Sequence, residues 1–180
     1  MEIKTLELSL EGLKLLISKP NEDTRGFFWE CYREPLYKEL GITETFLQDN
    51  HSFSKRGTLR GMHFQRRPGQ AKLISVLEGE IFDVAVDIRP HSPTFGKWQG
   101  VTLSPGKQLF IPIGFAHGFC AMSDKVHVTY KVSSIYDPQE ETGFSPLDPE
   151  VGIQWPNIDG GYLLSPRDEK ASTFQEVVLR

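Results

Sequence analysis

Residues 72–88 read KLISVLEGEIFDVAVDI, with apolar residues recurring at every second position around a short turn that contains glycine. Alternation with a period of two is typical of a β-strand, because successive side chains point to opposite faces of a sheet. We therefore predict strands over 72–77 and 81–88, with Glu78-Gly79-Glu80 as a tight hairpin turn between them. In the second strand, one face carries Phe82, Val84, Val86 and Ile88, and the other carries Ile81, Asp83, Ala85 and Asp87.

Similar short apolar segments follow at close intervals. Further strands are predicted at 98–103, 108–111, 118–122 and 126–132, separated by turns rich in glycine and proline. Helix is scarce, with one short candidate at Glu34–Leu40 that is closed by Gly41. Residues 146–171 contain four prolines and are expected to wrap around the strands as loops. Together these features predict an all-β fold, a jelly-roll β-barrel or sandwich with short peripheral helices.

Length and charge narrow the classes of function. The 180 residues fit a single domain, 1–180, which is large enough to bury a core. The net charge of −4 argues against a broad surface for nucleic acid or anionic membranes, which would need an excess of basic residues. Any bound phosphate must therefore be held by a few well-placed arginines and lysines.

The sequence also indicates a cellular compartment. It has neither a secretory signal nor an apolar run of about 20 residues, so we expect neither export nor a membrane partner. Cys31 and Cys120 lie 89 positions apart and lack the CxxC spacing of a redox or zinc motif. Both thiols are expected to stay reduced in a cytoplasmic protein.

Two histidine segments resemble the paired motifs of the cupin superfamily. They are Gly57 followed after five residues by His63, and Gly106 followed after five residues by Pro112-Ile113-Gly114 and then by His117. Metal-binding cupins have a second histidine two positions after the first, where this chain has Gln65, and the acid expected nearby is also absent. A catalytic metal normally takes at least three protein ligands. We therefore predict no metal and two imidazoles available for proton chemistry.

From Arg25 to Asp168 the chain resembles the dTDP-4-dehydrorhamnose 3,5-epimerase family of cupins. Each motif alone is weak, but their order and spacing make the resemblance specific. The matching segments are RGFFWE (25–30), QDNHS (48–52), LRGMHFQ (59–65), FDVAVDIR (82–89), SPTFG (92–96), GFAHGF (114–119) and YK (130–131). The resemblance implies a cupin-type jelly roll that epimerises C3 and C5 of dTDP-4-dehydro-6-deoxy-D-glucose to give dTDP-4-dehydro-L-rhamnose.

The implied reaction needs only acid–base groups. The keto group at C4 acidifies the hydrogens on C3 and C5, because loss of either proton gives an enolate. Inversion then needs a base on one face of the sugar, an acid on the other, and a cation near O4. No electrons move, and the sequence contains neither a GxGxxG motif opening a βαβ unit nor a P-loop, so no cofactor is expected.

Four residues match the catalytic positions of the family. His63 matches the general base, and Asp168, 105 positions away, matches the carboxylate that fixes the tautomer of that histidine. Tyr130 matches the acid that delivers a proton from the opposite face, and Lys72 matches the cation that faces the keto oxygen. Without the resemblance, Asp168 is only a loop acid and Tyr130 a packed strand tyrosine.

Other matching residues are expected to bind the nucleotide sugar. Arg25 and Arg60 would hold the diphosphate through their planar guanidinium groups, and Tyr136 would stack on the pyrimidine base. In the family, one phosphate-binding arginine comes from the neighbouring subunit, which implies a homodimer. The remaining predicted contacts are Glu30, Gln48, Asp49, Asn50, His117, Glu141 and Arg167.

The chain departs from the family pattern on the nucleotide side. Ile135 stands where a second aromatic beside Tyr136 is common, and Arg167 stands where a lysine is common. The preferred nucleotide is therefore open. Three alternatives also stay open: epimerisation at C3 alone or C5 alone, a metal-dependent cupin, and a non-catalytic cupin that binds sugar nucleotides. The acid–base set argues against the last, because a binding module has no need of it.

Overall fold

A computed structural model describes residues 2–179 of the chain. Within this range the chain forms thirteen strands and three short helices. In chain order they are β1 (Ile3–Glu7), β2 (Lys14–Ser18), β3 (Asn21–Asp23), β4 (Gly26–Phe28), α1 (Glu34–Glu39), β5 (Gln48–Lys55), β6 (Leu59–Gln65), β7 (Lys72–Glu78), β8 (Ile81–Asp87), β9 (Trp98–Leu103), β10 (Lys107–Ile111), β11 (Phe115–Ala121), β12 (Lys125–Val132), β13 (Glu141–Gly143), α2 (Pro166–Glu169) and α3 (Phe174–Val178). None of the helices in this range has the length and apolar character needed to cross a lipid bilayer.

Two sheets packed face to face form the body of the fold. One has six strands in the order β1-β2-β10-β7-β12-β5, and the other has five in the order β13-β6-β11-β8-β9. β3 and β4 form a separate two-stranded hairpin. Neighbouring strands in both sheets run antiparallel. The predicted all-β jelly roll with short peripheral helices is therefore confirmed.

The strands predicted at 72–77 and 81–88 are observed as β7 and β8, but the hairpin predicted between them is wrong. β7 pairs with β10 and β12, whereas β8 pairs with β11 and β9 in the other sheet. Each strand already has a neighbour on both edges, so neither has free backbone groups for the other. Gly79, with φ of +83°, turns the chain from one sheet to the other, and a side chain there would lie 2.3 Å from the Lys125 carbonyl oxygen.

The two faces of β8 predicted from its alternation are confirmed by its packing. Ile81 and Ala85 lie between the sheets, in a core shared with apolar residues of β7, β10 and β12. Val84 and Val86 face the other way and are covered by the C-terminal part of the chain, including Trp155. Residues 146–171 therefore wrap the barrel as predicted, with α2 as a short helix within them.

The alternation of apolar residues does not predict the strands of the N-terminal third. β5 exposes one face to solvent and turns polar residues such as Asn50 and Ser52 toward the space between the sheets, so it lacks apolar alternation. The helix predicted at Glu34–Leu40 is observed at Glu34–Glu39, and Gly41 follows it with φ of +78°. The strand predicted at 118–122 begins earlier, at Phe115.

A bulge in β6 sets the direction of two of its side chains. In the ladder with β11, three positions separate Arg60 from His63 whereas two separate their partners, so β6 holds one extra residue. Strict alternation would send Arg60 and His63 to opposite faces, but the extra residue lets both line one cavity between the sheets. Gly61 suits this bulge because its φ is +127° and a side chain there would lie 2.6 Å from the Cα of Gly118.

We expect Gly61→Ala to lower the free energy of unfolding by about 3 kcal/mol, because the new methyl group would overpack backbone atoms of β11. Gly160→Ala is the matched control, since Gly160 also has a positive φ, +87°, but no heavy atom lies within 4 Å of the added carbon. The control should lose about 1 kcal/mol through its backbone conformation alone. Chemical denaturation measures both variants, and equal losses would contradict the steric explanation.

Candidate active site

One end of the space between the two sheets opens into a cavity of about 410 Å³. Both sheets and the C-terminal segment supply its walls. Eleven of the fourteen side chains predicted for the site line it: Gln48, Asn50, Arg60, His63, Lys72, His117, Tyr130, Tyr136, Glu141, Arg167 and Asp168. The fold therefore gathers into one place residues that are far apart in the sequence.

His63 and Asp168 form a hydrogen-bonded pair on the wall made by β6. Nε2 of His63 lies 2.7 Å from Oδ1 of Asp168, whose side chain is buried. Burial by itself raises the pKa of this carboxyl, but the hydrogen bond and charge of His63, with hydrogen bonds from Ser165 and the Gly61 backbone, hold the pKa of Asp168 below its ordinary value. The ionised carboxylate accepts a hydrogen bond from the Nε2–H of His63, so Nδ1 carries the basic lone pair.

The C-terminal segment brings Asp168 to His63. The Leu59 N–H donates to the Leu163 carbonyl at 3.0 Å, so the segment lies beside the start of β6. α2 then begins, and the Asp168 N–H donates to the Oγ of Ser165, the N-cap residue, at 3.1 Å. This cap holds Asp168 in the first turn of α2, within reach of the imidazole.

Tyr130 faces this pair from the opposite wall. It lies on β12 of the six-stranded sheet, directly across from Asn50 on β5, whereas His63 belongs to the five-stranded sheet. Burial raises the pKa of the Tyr130 phenol despite the nearby positive charge of Arg60. The phenol therefore keeps its proton at neutral pH and can act as an acid.

Lys72 places a buried amine between the two walls. It lies on β7, and its Nζ donates to the backbone carbonyl of His63 at 3.3 Å. Burial lowers the pKa of the amine to about 8, against the opposing influence of Glu141 and Asp83. Lys72 is therefore still mainly protonated at neutral pH, and its charge acts in surroundings where water screens it little.

A second histidine–carboxylate pair lies beside the first. His117 sits directly opposite His63 in the ladder between β11 and β6, and its Nε2 lies 2.9 and 3.0 Å from the two carboxylate oxygens of Asp83. Asp83 is fully buried, and burial raises the pKa of its carboxyl. Asp83 is not among the site residues predicted from the sequence, although the alternation puts this acid on the same face as Ile81 and Ala85. A buried acid on an apolar face was the available signal.

The mouth of the cavity contains a hydrogen-bonded set around Tyr136. The Tyr136 hydroxyl donates to Oε2 of Glu141 at 3.3 Å, and the same oxygen accepts from Arg167 at 2.6 Å. Gln48 accepts from the Tyr136 N–H at 2.9 Å and donates to Asn50 at 2.8 Å. The half-exposed ring of Tyr136 is therefore held from the cavity wall through both its backbone and its phenol.

Asp49 lies outside the cavity, contrary to the prediction. It follows Gln48 on β5, so the alternation of the strand turns its side chain to the outer face of the sheet. There it pairs with Lys131 at 2.9 Å. Gln48 and Asn50, its neighbours on the other face of the strand, line the cavity.

Arg25 and Glu30 also lie outside the cavity of their own chain. Arg25 adjoins the hairpin of β3 and β4, and its exposed guanidinium pairs with Asp23 at 2.5 Å. Glu30 pairs with Arg33 at 2.7 Å. Neither side chain lines the cavity formed by the two sheets.

Gln65 occupies the position where metal-binding cupins have a second histidine. Its amide donates to Oγ of Ser134 at 3.1 Å, in the loop that follows β12. Among residues 2–179, no group of three or more histidine, cysteine or acidic residues is arranged to hold a metal ion. The cavity is lined by an imidazole, a phenol and a buried amine.

The family model described as dTDP-4-dehydrorhamnose 3,5-epimerase matches residues 7–176. The chain is 46% identical over 178 residues to the dTDP-4-dehydrorhamnose 3,5-epimerase of Methanothermobacter thermautotrophicus, covering 97% of this chain and 96% of the relative. It is 41% identical over 173 residues to the dTDP-4-dehydrorhamnose 3-epimerase of Streptomyces niveus, covering 94% and 83%.

Solved structures give the same result. The crystal structure of a dTDP-6-deoxy-D-glucose-3,5-epimerase from Legionella pneumophila, in complex with dTDP-4-keto-L-rhamnose, matches with a TM-score of 0.93 and 44% identity. The match covers 98% of this chain and 95% of that one. Because these matches extend over nearly the whole chain, the protein belongs to the dTDP-4-dehydrorhamnose 3,5-epimerase family.

Proposed function

We propose that this protein inverts C3 and C5 of dTDP-4-dehydro-6-deoxy-D-glucose and so produces dTDP-4-dehydro-L-rhamnose. The observation that carries the proposal is that His63 and Tyr130 line one cavity from two opposing sheets. A proton can be removed from one face of a sugar ring there and returned to the other, as inversion of a carbon requires. The family of the chain and the names of its relatives support the same reaction.

The proposed mechanism needs no reactant other than water. Nδ1 of His63 removes the hydrogen from C3 or C5, and the electron pair moves into the carbonyl to give an enolate at O4. The imidazolium is stabilised by the carboxylate of Asp168, 2.7 Å from Nε2. Tyr130 then donates its proton to the opposite face of the carbon. Proton exchange with solvent resets both residues before the second carbon reacts.

We assign the stabilisation of the enolate oxygen to Lys72. A buried ammonium group attracts a developing oxyanion strongly, and it is already in place before the charge appears. His117, on the same wall as His63, would add a second hydrogen bond to this oxygen from Nδ1 when it is an imidazolium, because its Nε2–H is bonded to Asp83. Together they would favour the enolate over the neutral keto sugar.

The nucleotide side of the proposal rests on Arg60 and Tyr136. Arg60 donates to Oγ of Ser54 and to the Phe53 carbonyl, both at 3.1 Å, and its remaining guanidinium donors can bind a diphosphate. Tyr136 offers an aromatic ring at the mouth of the cavity for a pyrimidine base. The Legionella neighbour, described in complex with dTDP-4-keto-L-rhamnose, supports a dTDP-sugar as the substrate.

We further propose a homodimer in which Arg25 serves the cavity of the second protomer. In its own chain Arg25 is exposed and lies outside the cavity. The neighbouring Phe27 and Phe28 are 59% and 70% exposed, and large apolar side chains grouped on a surface are typical of a protein contact. A second copy would cover these rings and bring Arg25 to the diphosphate and Glu30 to the rim of the same cavity.

One alternative reaction is supported by a specific observation. The Streptomyces niveus relative, named as a 3-epimerase, is 41% identical to this chain, close to the identities of the relatives named as 3,5-epimerases. Inversion at C3 alone therefore remains the second candidate. It would use the same base and acid but would leave C5 untouched.

Solvent deuterium distinguishes the two reactions. With dTDP-4-dehydro-6-deoxy-D-glucose in deuterium oxide, we expect label at both C3 and C5, because each inversion exchanges a carbon-bound hydrogen with solvent. His63→Ala and Tyr130→Phe should each lower kcat by roughly 10²–10⁴. NMR of the product locates the label. Label at C3 alone would favour the 3-epimerase, and unchanged turnover in both variants would remove these two residues from the mechanism.

The pKa of Lys72 predicts how activity depends on pH. As pH rises through about 8, the buried amine loses its proton and the cation disappears, so kcat/KM should fall on the basic side. Tyr130 cannot cause this fall, because burial raises its pKa. Lys72→Arg keeps the charge and should move the fall above about pH 10, whatever its absolute rate. A pH profile with the same basic limb in both proteins would contradict this assignment.

Mixing two inactive variants tests the shared site. If Arg25 acts across the dimer, co-expression of Arg25→Ala with His63→Ala should restore about a quarter of the wild-type sites, since half of the dimers are mixed and one of their two sites is complete. Co-expression of His63→Ala with Asp168→Asn is the control, because both residues belong to the same cavity and no site is complete. Equal activity in the two mixtures would argue against a contribution from the partner.

A further inference from the structure

The loop that carries Tyr136 is irregular but tightly held. Residues 133–137 connect β12 to the segment before β13 and include no helix or strand. Ile135 and Tyr136 are both more than 45% exposed, at 59% and 49%. An exposed loop of this kind would ordinarily be mobile, so contacts must hold Tyr136 at the mouth of the cavity.

Gln65 makes three of these contacts from the end of β6. Its Nε2 donates to Oγ of Ser134 at 3.1 Å and to the Ile135 carbonyl at 3.2 Å. Its Oε1 accepts from the Asp137 N–H at 3.1 Å. The side chain is buried, so these bonds are shielded from competing water. Gln65 therefore forms hydrogen bonds to the loop on both sides of Tyr136.

Further hydrogen bonds with Gly69, Gln70, Gln48 and Glu141 also hold this loop. The Ser134 hydroxyl donates to the Gly69 carbonyl at 2.8 Å, and Gln70 donates to the Ser134 carbonyl at 3.0 Å. Tyr136 itself is bonded through its N–H to Gln48 and through its hydroxyl to Glu141. Gln65 hydrogen-bonds both the Ile135 carbonyl and the Asp137 N–H, the backbone groups on either side of Tyr136, with one side chain.

We propose that Gln65 is a positioning residue that orders Tyr136 as a stacking platform for the nucleotide base, and so sets the affinity for the nucleoside part of the substrate. The inference rests on the proposed function. Its physical basis is that a platform ordered before binding loses less conformational entropy when the ligand arrives. The need is greater here because Ile135, beside Tyr136, offers no aromatic ring of its own.

Binding measurements on Gln65→Met test the proposal. We expect the Kd for dTDP, measured by calorimetry, to rise about tenfold, while the Kd for inorganic pyrophosphate changes by less than about twofold. At saturating substrate, kcat should stay within about threefold of wild type, so that the loss appears in KM. Gln139→Met is the matched control, because Gln139 is an exposed glutamine in the same connection, and it should change neither constant.

A double-mutant cycle separates positioning from a general structural effect. If Gln65 acts through the tyrosine ring, Gln65→Met should change dTDP affinity by less than about twofold once Tyr136→Ala is present. A tenfold effect in both backgrounds, or an unchanged dTDP affinity in folded Gln65→Met, would overturn the proposal. Should Gln65→Met fail to fold, Gln65→Glu replaces it, because it keeps the acceptor for Asp137 while it replaces the amide donors by a carboxylate oxygen that faces the Ile135 carbonyl.

The dTDP-binding measurements and the deuterium-exchange experiment can fail independently of each other. Wild-type protein that binds dTDP but shows no deuterium exchange would refute the epimerase reaction and leave the platform intact. Wild-type protein that binds pyrophosphate but not dTDP would refute the platform, whatever reaction the cavity performs.

Discussion

The hydrogen bond between His63 and Asp168 joins the sheets to the segment that wraps them. The carboxylate is buried, and a buried charge without a partner costs several kcal/mol. The hydrogen bond from His63 therefore stabilises the buried carboxylate of Asp168, and the carboxylate in turn fixes the tautomer of the imidazole. The same contact that closes the C-terminal segment onto β6 leaves Nδ1 of His63 as the basic atom. One hydrogen bond thus both helps to hold the C-terminal segment on β6 and sets the hydrogen bonding of the imidazole in the cavity.

The interior of the sandwich combines apolar and ionisable groups. The sheets are joined by an aliphatic and aromatic core, and the same inner faces also carry Lys72, Asp83 and the two histidines. Burying these groups is costly, and the two histidine–carboxylate pairs offset part of that cost. The dry surroundings strengthen the interaction of Lys72 with an anion. The rigidity of the core is what allows such groups to be kept in place.

Because the cavity lies between two separate sheets, each strand residue that lines it belongs to one wall or the other. His63 can belong only to the five-stranded wall and Tyr130 only to the six-stranded wall. A reaction that removes a proton from one face and returns it to the other suits this architecture. Relatives named as a 3-epimerase and as 3,5-epimerases both match this chain, so membership of the family does not by itself fix which carbons are inverted.

The sequence by itself determined the strands at 72–88, the two faces of β8, and the scarcity of helix. The family resemblance added eleven residues that do line the cavity. The tertiary structure alone decided that β7 and β8 lie in different sheets, that Asp83 meets His117, that Asp49 faces outward, and that a bulge turns Arg60 and His63 the same way. The physical reason is that alternation along a strand reveals its faces, whereas the partners of a strand and its bulges are set by backbone hydrogen bonds to segments far away in the chain.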